Sequence, residues 1–179
     1  MVYIAMLRGI NVSGKNILKM EALKSSLKSL KFENLKTYIQ SGNVVFGAEK
    51  TSTTALSQLI HKKILKDFGF SIPVTVRTSK ELEKIIKTNP FFKIKSIDPT
   101  KLHVTFLSER PTKESLEGLK KLPIKPDQFH VVGQEIFIHC PVSYGETKLS
   151  NAAFEKLLSV QATTRNWKTV HSLFEMAKE

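Results

Sequence analysis

The residues best suited to chemistry lie near the start of the chain. Leu7-Arg8-Gly9-Ile10-Asn11-Val12-Ser13-Gly14-Lys15-Asn16 carries two cations, two side-chain amides and two glycines. It sits between an apolar run (Val2 to Leu7) and a helical pattern (Met20 to Leu30). Gly9-x4-Gly14-Lys15 follows the phosphate-loop spacing up to its last position, which should be Ser or Thr to bind magnesium. Asn16 stands there instead, and the next strand region, Leu35 to Gln40, ends without an aspartate for a second metal contact. A nucleotide triphosphatase is therefore not expected. An anion site without hydrolysis is, because a glycine-bearing loop aims several backbone N–H groups at one point. The alternative is a structural turn whose glycines take φ > 0 and whose lysine is solvated.

A second candidate cluster is Thr163-Thr164-Arg165-Asn166-Trp167, with one of the four arginines and the only tryptophan at a helix start. Helix N-termini favour anions, and Arg165 would reinforce that. The alternative is a cap (Asn166) beside a packed indole (Trp167). Other chemistry is scarce. Cys140 and His139 should point to opposite faces of a strand, which argues against a Cys–His nucleophile. His103, His130 and His139 could share one sheet face, but they lack the ligand spacing of a metal site, so no metal is assigned. No cofactor is assigned either. The aspartates Asp67, Asp98 and Asp127 sit where helix ends and turns explain them.

Val2 to Arg8 reads as a strand and Met20 to Lys31 as an amphipathic helix. Leu35 to Gln40 and Val44 to Phe46 read as a hairpin about Ser41-Gly42-Asn43. A helix from Ser52 or Thr53 stops at Gly69, and Ile72 to Arg77 is a strand whose Pro73 favours an edge. The order β-α-β-β-α-β is the ferredoxin-like pattern. It puts the 9–19 loop at the same end as the hairpin turn, so Arg8, Asn11, Lys15 and Asn16 should face the end that holds Gln40, Ser41 and Asn43. Thr78-x-x-Glu81 is a capping box for the next helix, which Asn89-Pro90 ends.

The second half repeats this architecture: a strand (Leu102 to Ser108), a helix after Pro111-Thr112, a hairpin (Phe129 to Cys140) and a helix (Asn151 to Leu158). Val160 to Arg165 reads as a link to a final helix, Trp167 to Ala177, leaving the second half without its last strand. The expected fold class is α+β: two ferredoxin-like subdomains with antiparallel sheets plus a C-terminal helical segment. The expected division is an N-terminal subdomain over 1–88, a connector over 89–100 and a C-terminal subdomain over 101–179.

The chain's 179 residues suffice for one large or two small domains, and 41% hydrophobic content is ordinary for a globular protein. No apolar run approaches the roughly 20 residues of a membrane span, and no secretory signal is visible. A single cysteine excludes an internal disulfide and fits a reducing cytoplasm. The net charge of +12 suggests an anionic partner. Nearly all of it is lysine, much of it on helix faces, so nucleic acid is a possible partner that base-reading arginines do not favour.

Four ordered motifs carry a resemblance across nearly the whole chain: RGINVSGKN at 8–16, YIQSGNVVF at 38–46, NPF at 89–91 and TTRNWKTV at 163–170. Together they closely resemble domain-of-unknown-function family 1697, a family of uncharacterised bacterial proteins. The resemblance implies two α+β subdomains of ferredoxin-like character and no established activity. The family loop usually reads Gly-Gly-Lys, and Ser13 here replaces the first of those glycines. The expected function is binding of a small anionic ligand, phosphate- or carboxylate-bearing, at the loop cluster. The alternatives are a nucleic-acid or protein interaction module, and an enzyme that uses Arg8, Lys15 and Arg165 as electrostatic stabilisers. Whether the protein is an enzyme is left open, since an enzyme needs a proton carrier near the cluster and none is evident beyond Lys15.

Overall fold

The computed structural model describes residues 1–178. Among them are two four-stranded antiparallel sheets and six α-helices, an α+β architecture. Contacts divide the chain into one unit of residues 1–84 together with the chain from Ser172 onward, and a second unit of Ile85–His171.

The first unit begins β1 (Val2–Leu7), α1 (Met20–Lys28), β2 (Glu33–Tyr38), β3 (Asn43–Gly47), α2 (Thr53–Phe68) and β4 (Val74–Thr78), followed by α3 (Ser79–Lys87). Its sheet has the order β2-β3-β1-β4, as a ferredoxin-like unit requires, and β4 is an edge. The apolar periodicity of α1 and α2 buries Leu23, Leu27, Leu56, Ile60 and Ile64 against Tyr3, Ala5, Leu7, Val44 and Phe46 on one sheet face. Strand side chains alternate, so Ile4, Met6 and Val45 lie on the other face, and they too are buried. Ser52 caps α2 through Ala55 N–H, and left-handed Gly69 ends it.

The second unit contains β5 (Leu102–Leu107), α4 (Lys113–Lys120), β6 (Gln128–Val132), β7 (Glu135–His139), α5 (Asn151–Leu158) and β8 (Ala162–Asn166), followed by α6 (Trp167–Lys178). Its sheet order, β6-β7-β5-β8, is that of the first unit. The expectation that this half lacks its fourth strand is therefore corrected. Residues 162–166 pair with β5 along their whole length, from Leu107↔Ala162 to His103↔Asn166. The strand looked like a link because only Ala162 and Thr163 are buried, and its central hydroxyl pairs across the ladder, Thr105 with Thr164 at 2.7 Å.

The repeat extends to individual hydrogen bonds. Leu7 N–H donates to the Gly42 carbonyl at 2.8 Å, and Leu107 N–H donates to the Gln134 carbonyl at 2.9 Å. Arg8 N–H reaches the Pro73 carbonyl and Ser108 N–H the Gln161 carbonyl. Arg77 pairs with Ile4 and Arg165 with Val104. The two halves depart from each other in their loops. The β1–α1 connection covers residues 8–19, whereas its counterpart covers 108–112. Conversely, residues 140–150 between β7 and α5 are longer than 48–52 between β3 and α2.

Candidate functional site

The 8–19 loop is an elaboration that the repeated fold does not need, since residues 108–112 make the same connection in the second unit. Its backbone is unusual. Gly9, Asn11, Ser13, Gly14 and Asn16 all have positive φ, between 47° and 76°. Asn11 N–H donates to the Asn16 carbonyl and Lys15 N–H to the Val12 carbonyl, so residues 11–16 form a miniature hairpin turning at Ser13-Gly14. Both turn residues are left-handed, the geometry of a primed hairpin turn. That explains why a glycine suits position 13: the backbone needs φ > 0 there.

Asn11 and Asn16 hold the loop closed. The Asn11 amide donates to the carbonyls of Leu18 and Gln40 at 2.8 Å, and its oxygen accepts from Leu18 N–H at 2.8 Å. The Asn16 amide donates to the Gly9 carbonyl at 2.8 Å. The bond from Asn11 to Gln40 joins the loop to the β2–β3 turn, as the topology predicts. Within that turn the fully buried Asn43 donates to the Tyr38 carbonyl and to Ser41 Oγ. Gly42 packs so closely that a Cβ there would meet Ile10 Cδ1 at 2.5 Å. Gln40 is exposed and contributes its backbone carbonyl, and Ser41 is half-buried.

The outward chemistry therefore belongs to Lys15, which is exposed, to the half-buried Arg8, and to backbone amides. Among the described residues, the loop donors that reach a protein acceptor through their backbone N–H are Arg8, Asn11, Lys15 and Leu18. The N–H groups of Ser13, Gly14 and Asn16 reach no acceptor among the described residues. No His, Asp, Glu or Cys occurs in residues 8–19 or 39–43, so these two segments hold no side chain that ordinarily exchanges a proton near neutral pH.

Reading from sequence missed three side chains here. Val12, Ile17 and Ile39 are 57%, 70% and 50% exposed. Ile39 also has φ +49°, a rare conformation for a β-branched residue. Periodicity cannot flag apolar residues that fold outward from a loop.

The second cluster has structural partners. The Arg165 guanidinium donates to the Thr164 carbonyl at 2.9 Å, just as Arg77 donates to the Val76 carbonyl at 3.0 Å. Burial pushes its pKa down to about 10, with the nearby Tyr144 acting in the opposite sense. Asn166 is the N-cap of α6, its oxygen accepting from Thr169 N–H at 2.8 Å. Its counterpart Thr78 caps α3 with Glu81 in a reciprocal box. Trp167 is buried against Phe92 and His171.

The three sheet histidines do not share a face. Register pairs Gln128 and Leu102 with His139, so His130 lies on the His139 side and His103 on the other. His130 and His139 pack against Phe91, at 4.9 and 5.7 Å between ring centroids, whereas His103 stacks on Tyr144 at 4.4 Å. No group of three potential metal ligands occurs among the described residues. Cys140 is buried, and burial raises its thiol pKa to about 11, which leaves it a poor nucleophile. No helix of the described residues is long and apolar enough to cross a membrane.

No curated protein matches the chain. Among solved structures, the conserved bacterial protein SP0830 from Streptococcus pneumoniae is similar over 98% of both chains, with a TM-score of 0.74 and 23% identity. At that identity the likeness shows the fold alone. The family model described as a protein of unknown function, DUF1697, matches residues 1–137, and the chain belongs to that family.

Proposed function

We propose that this protein binds a ligand carrying a phosphate or carboxylate group, at the loop of residues 9–16 and the adjacent 39–43 turn. The observation that carries the reading is the loop itself, longer than the matching 108–112 connection of the other repeat and locked in left-handed geometry by Asn11 and Asn16. Successive left-handed residues turn backbone N–H groups toward one side, which suits an anion. Lys15 and Arg8 supply the charge, and the exposed Val12, Ile17 and Ile39 suit an apolar portion of the same ligand. In this reading Asn11, Asn16 and Asn43 shape the site, while Ser41 and Gln40 border it. Arg165, Asn166 and Trp167 support the fold of their own unit. Two of the four arginines, Arg77 and Arg165, are committed to strands and backbone carbonyls, which supports a small anion over base reading in nucleic acid.

The test is a thermal-shift series with inorganic phosphate, nucleotides, phosphosugars and dicarboxylates. A true ligand at 100 times its Kd stabilises the native state by about 2.7 kcal/mol. The Arg8→Ala, Lys15→Ala double variant should stay folded, with a cooperative melt of its own, and lose the shift. A shift that survives both substitutions would remove the loop from the site.

A further inference from the structure

We infer that β6 is a self-pairing edge through which two copies of this chain join into one continuous eight-stranded sheet. Each four-stranded sheet has two edge strands, and three of these four edges are protected. β2 is interrupted by a bulge between Glu33 and Lys36. The outward carbonyl of Val74 in β4 accepts from Ser57, and Pro73 precedes the strand. The Ala162 N–H of β8 donates to the Glu155 carboxylate at 3.1 Å. Such devices are how edges avoid pairing with another chain.

Pro126 and Asp127 precede β6, but the strand itself carries none of these devices. Gln128-Phe129-His130-Val131-Val132 contains no charge and no proline, and it pairs with β7 in unbroken register over five residues. In β7, Gln134 and Cys140 turn their backbone groups toward β5, accepting from Leu107 N–H and donating to the Lys101 carbonyl respectively. Backbone direction alternates, so Glu135, Phe137 and His139 face β6 and hydrogen-bond with Val132, His130 and Gln128. The N–H and C=O groups of Phe129 and Val131 therefore point away from the sheet, with no protein partner among the described residues.

The strand is complementary to itself when antiparallel about His130. Phe129 then meets Val131 of the second copy, and Val131 meets its Phe129, so all four outward backbone groups of each copy are paired. On the helix side, half-buried Phe129 and Val131 gain apolar neighbours. On the other side, Val132, 40% exposed, meets uncharged Gln128. An open groove lined by Ile124, Lys125, Pro126, Asp127 and Phe129 adjoins the edge. An isologous two-fold contact of this kind closes on itself. The charge of +12 per chain opposes it, so association strengthens with salt.

The experiment is sedimentation equilibrium of the full chain at 0.05 and 0.5 M NaCl, alongside two variant types. Wild type should move from the 20.2 kDa monomer to twice that mass, more readily at high salt. His130→Lys and Val132→Lys should each weaken association at least tenfold, while Val12→Lys, remote in sequence on an exposed loop, should not. His130→Cys places two thiols across the two-fold axis in a non-hydrogen-bonded pair, about 4.5 Å between Cα atoms, and should form an intermolecular disulfide on mild oxidation. A chain that stays monomeric at millimolar concentration overturns the proposal. So does a dimer that the lysine variants leave intact and His130→Cys fails to cross-link.

Discussion

At Gly42 two demands meet in one residue. Its φ of +73° disfavours any side chain, and a Cβ would lie 2.5 Å from Ile10 Cδ1 and 2.8 Å from Leu7 Cβ. Gly9 has a similar φ of +76° but open space around it. The pair separates backbone strain from crowding. Gly9→Ala should cost about 1–2 kcal/mol from left-handed strain alone, whereas Gly42→Ala adds about 1–3 kcal/mol of overpacking. Urea unfolding of both variants reads the difference directly. Equal losses would mean that Ile10 gives way freely and that the loop is not wedged against the turn. The two asparagines act at the same scale. A short amide that donates twice and accepts once, as Asn11 does, satisfies three backbone groups that hydrophobic side chains would leave unpaired.

At the scale of elements, each half ends in a strand whose last residue caps the next helix. Thr78 shares a reciprocal box with Glu81, and Asn166 caps α6 alone. Replacing either by alanine should cost about 1 kcal/mol. Glu81→Gln should weaken the box at Thr78, whereas the matching position after Asn166 is Thr169, so the two caps should respond differently in a thermal-melt comparison. Elements with strong periodicity or caps were legible from sequence: β1, α1, α2, the capping box and α5. β8 was not, because a polar strand of threonines and arginine has the composition of a linker, and its stability comes from pairing with β5, which is distant in sequence. The sheet face of His103 was misjudged for a related reason: a face follows from register, and register needs the partner strand. At the candidate site, the joining of loop and turn followed from topology. The internal bonding of the asparagines did not, since an amide suited to a ligand is equally suited to a carbonyl.

At the scale of the whole molecule, charge and burial act together as pH falls. The chain already carries +12 at neutrality, and its five histidines can only add to that. Like charge raises self-repulsion in the compact state, and salt screens it, with a Debye length of about 8 Å at 0.15 M. His103 contributes a different penalty. Burial lowers its pKa below the ordinary 6.5, against a smaller opposing hydrogen bond with the Lys101 backbone. A histidine whose folded pKa is depressed is neutral in the native state while the unfolded chain takes the proton. Its contribution is therefore present above 6.5 and is lost as pH falls through that value toward the folded pKa. The melting temperature should fall between pH 7.5 and 5.5. The share caused by self-repulsion should vanish at 0.5 M NaCl, and the share caused by His103 should persist in salt. His103→Phe, which keeps a ring against Tyr144, should flatten that remaining slope. If the slope in high salt is the same with phenylalanine at 103, the buried imidazole is not its source.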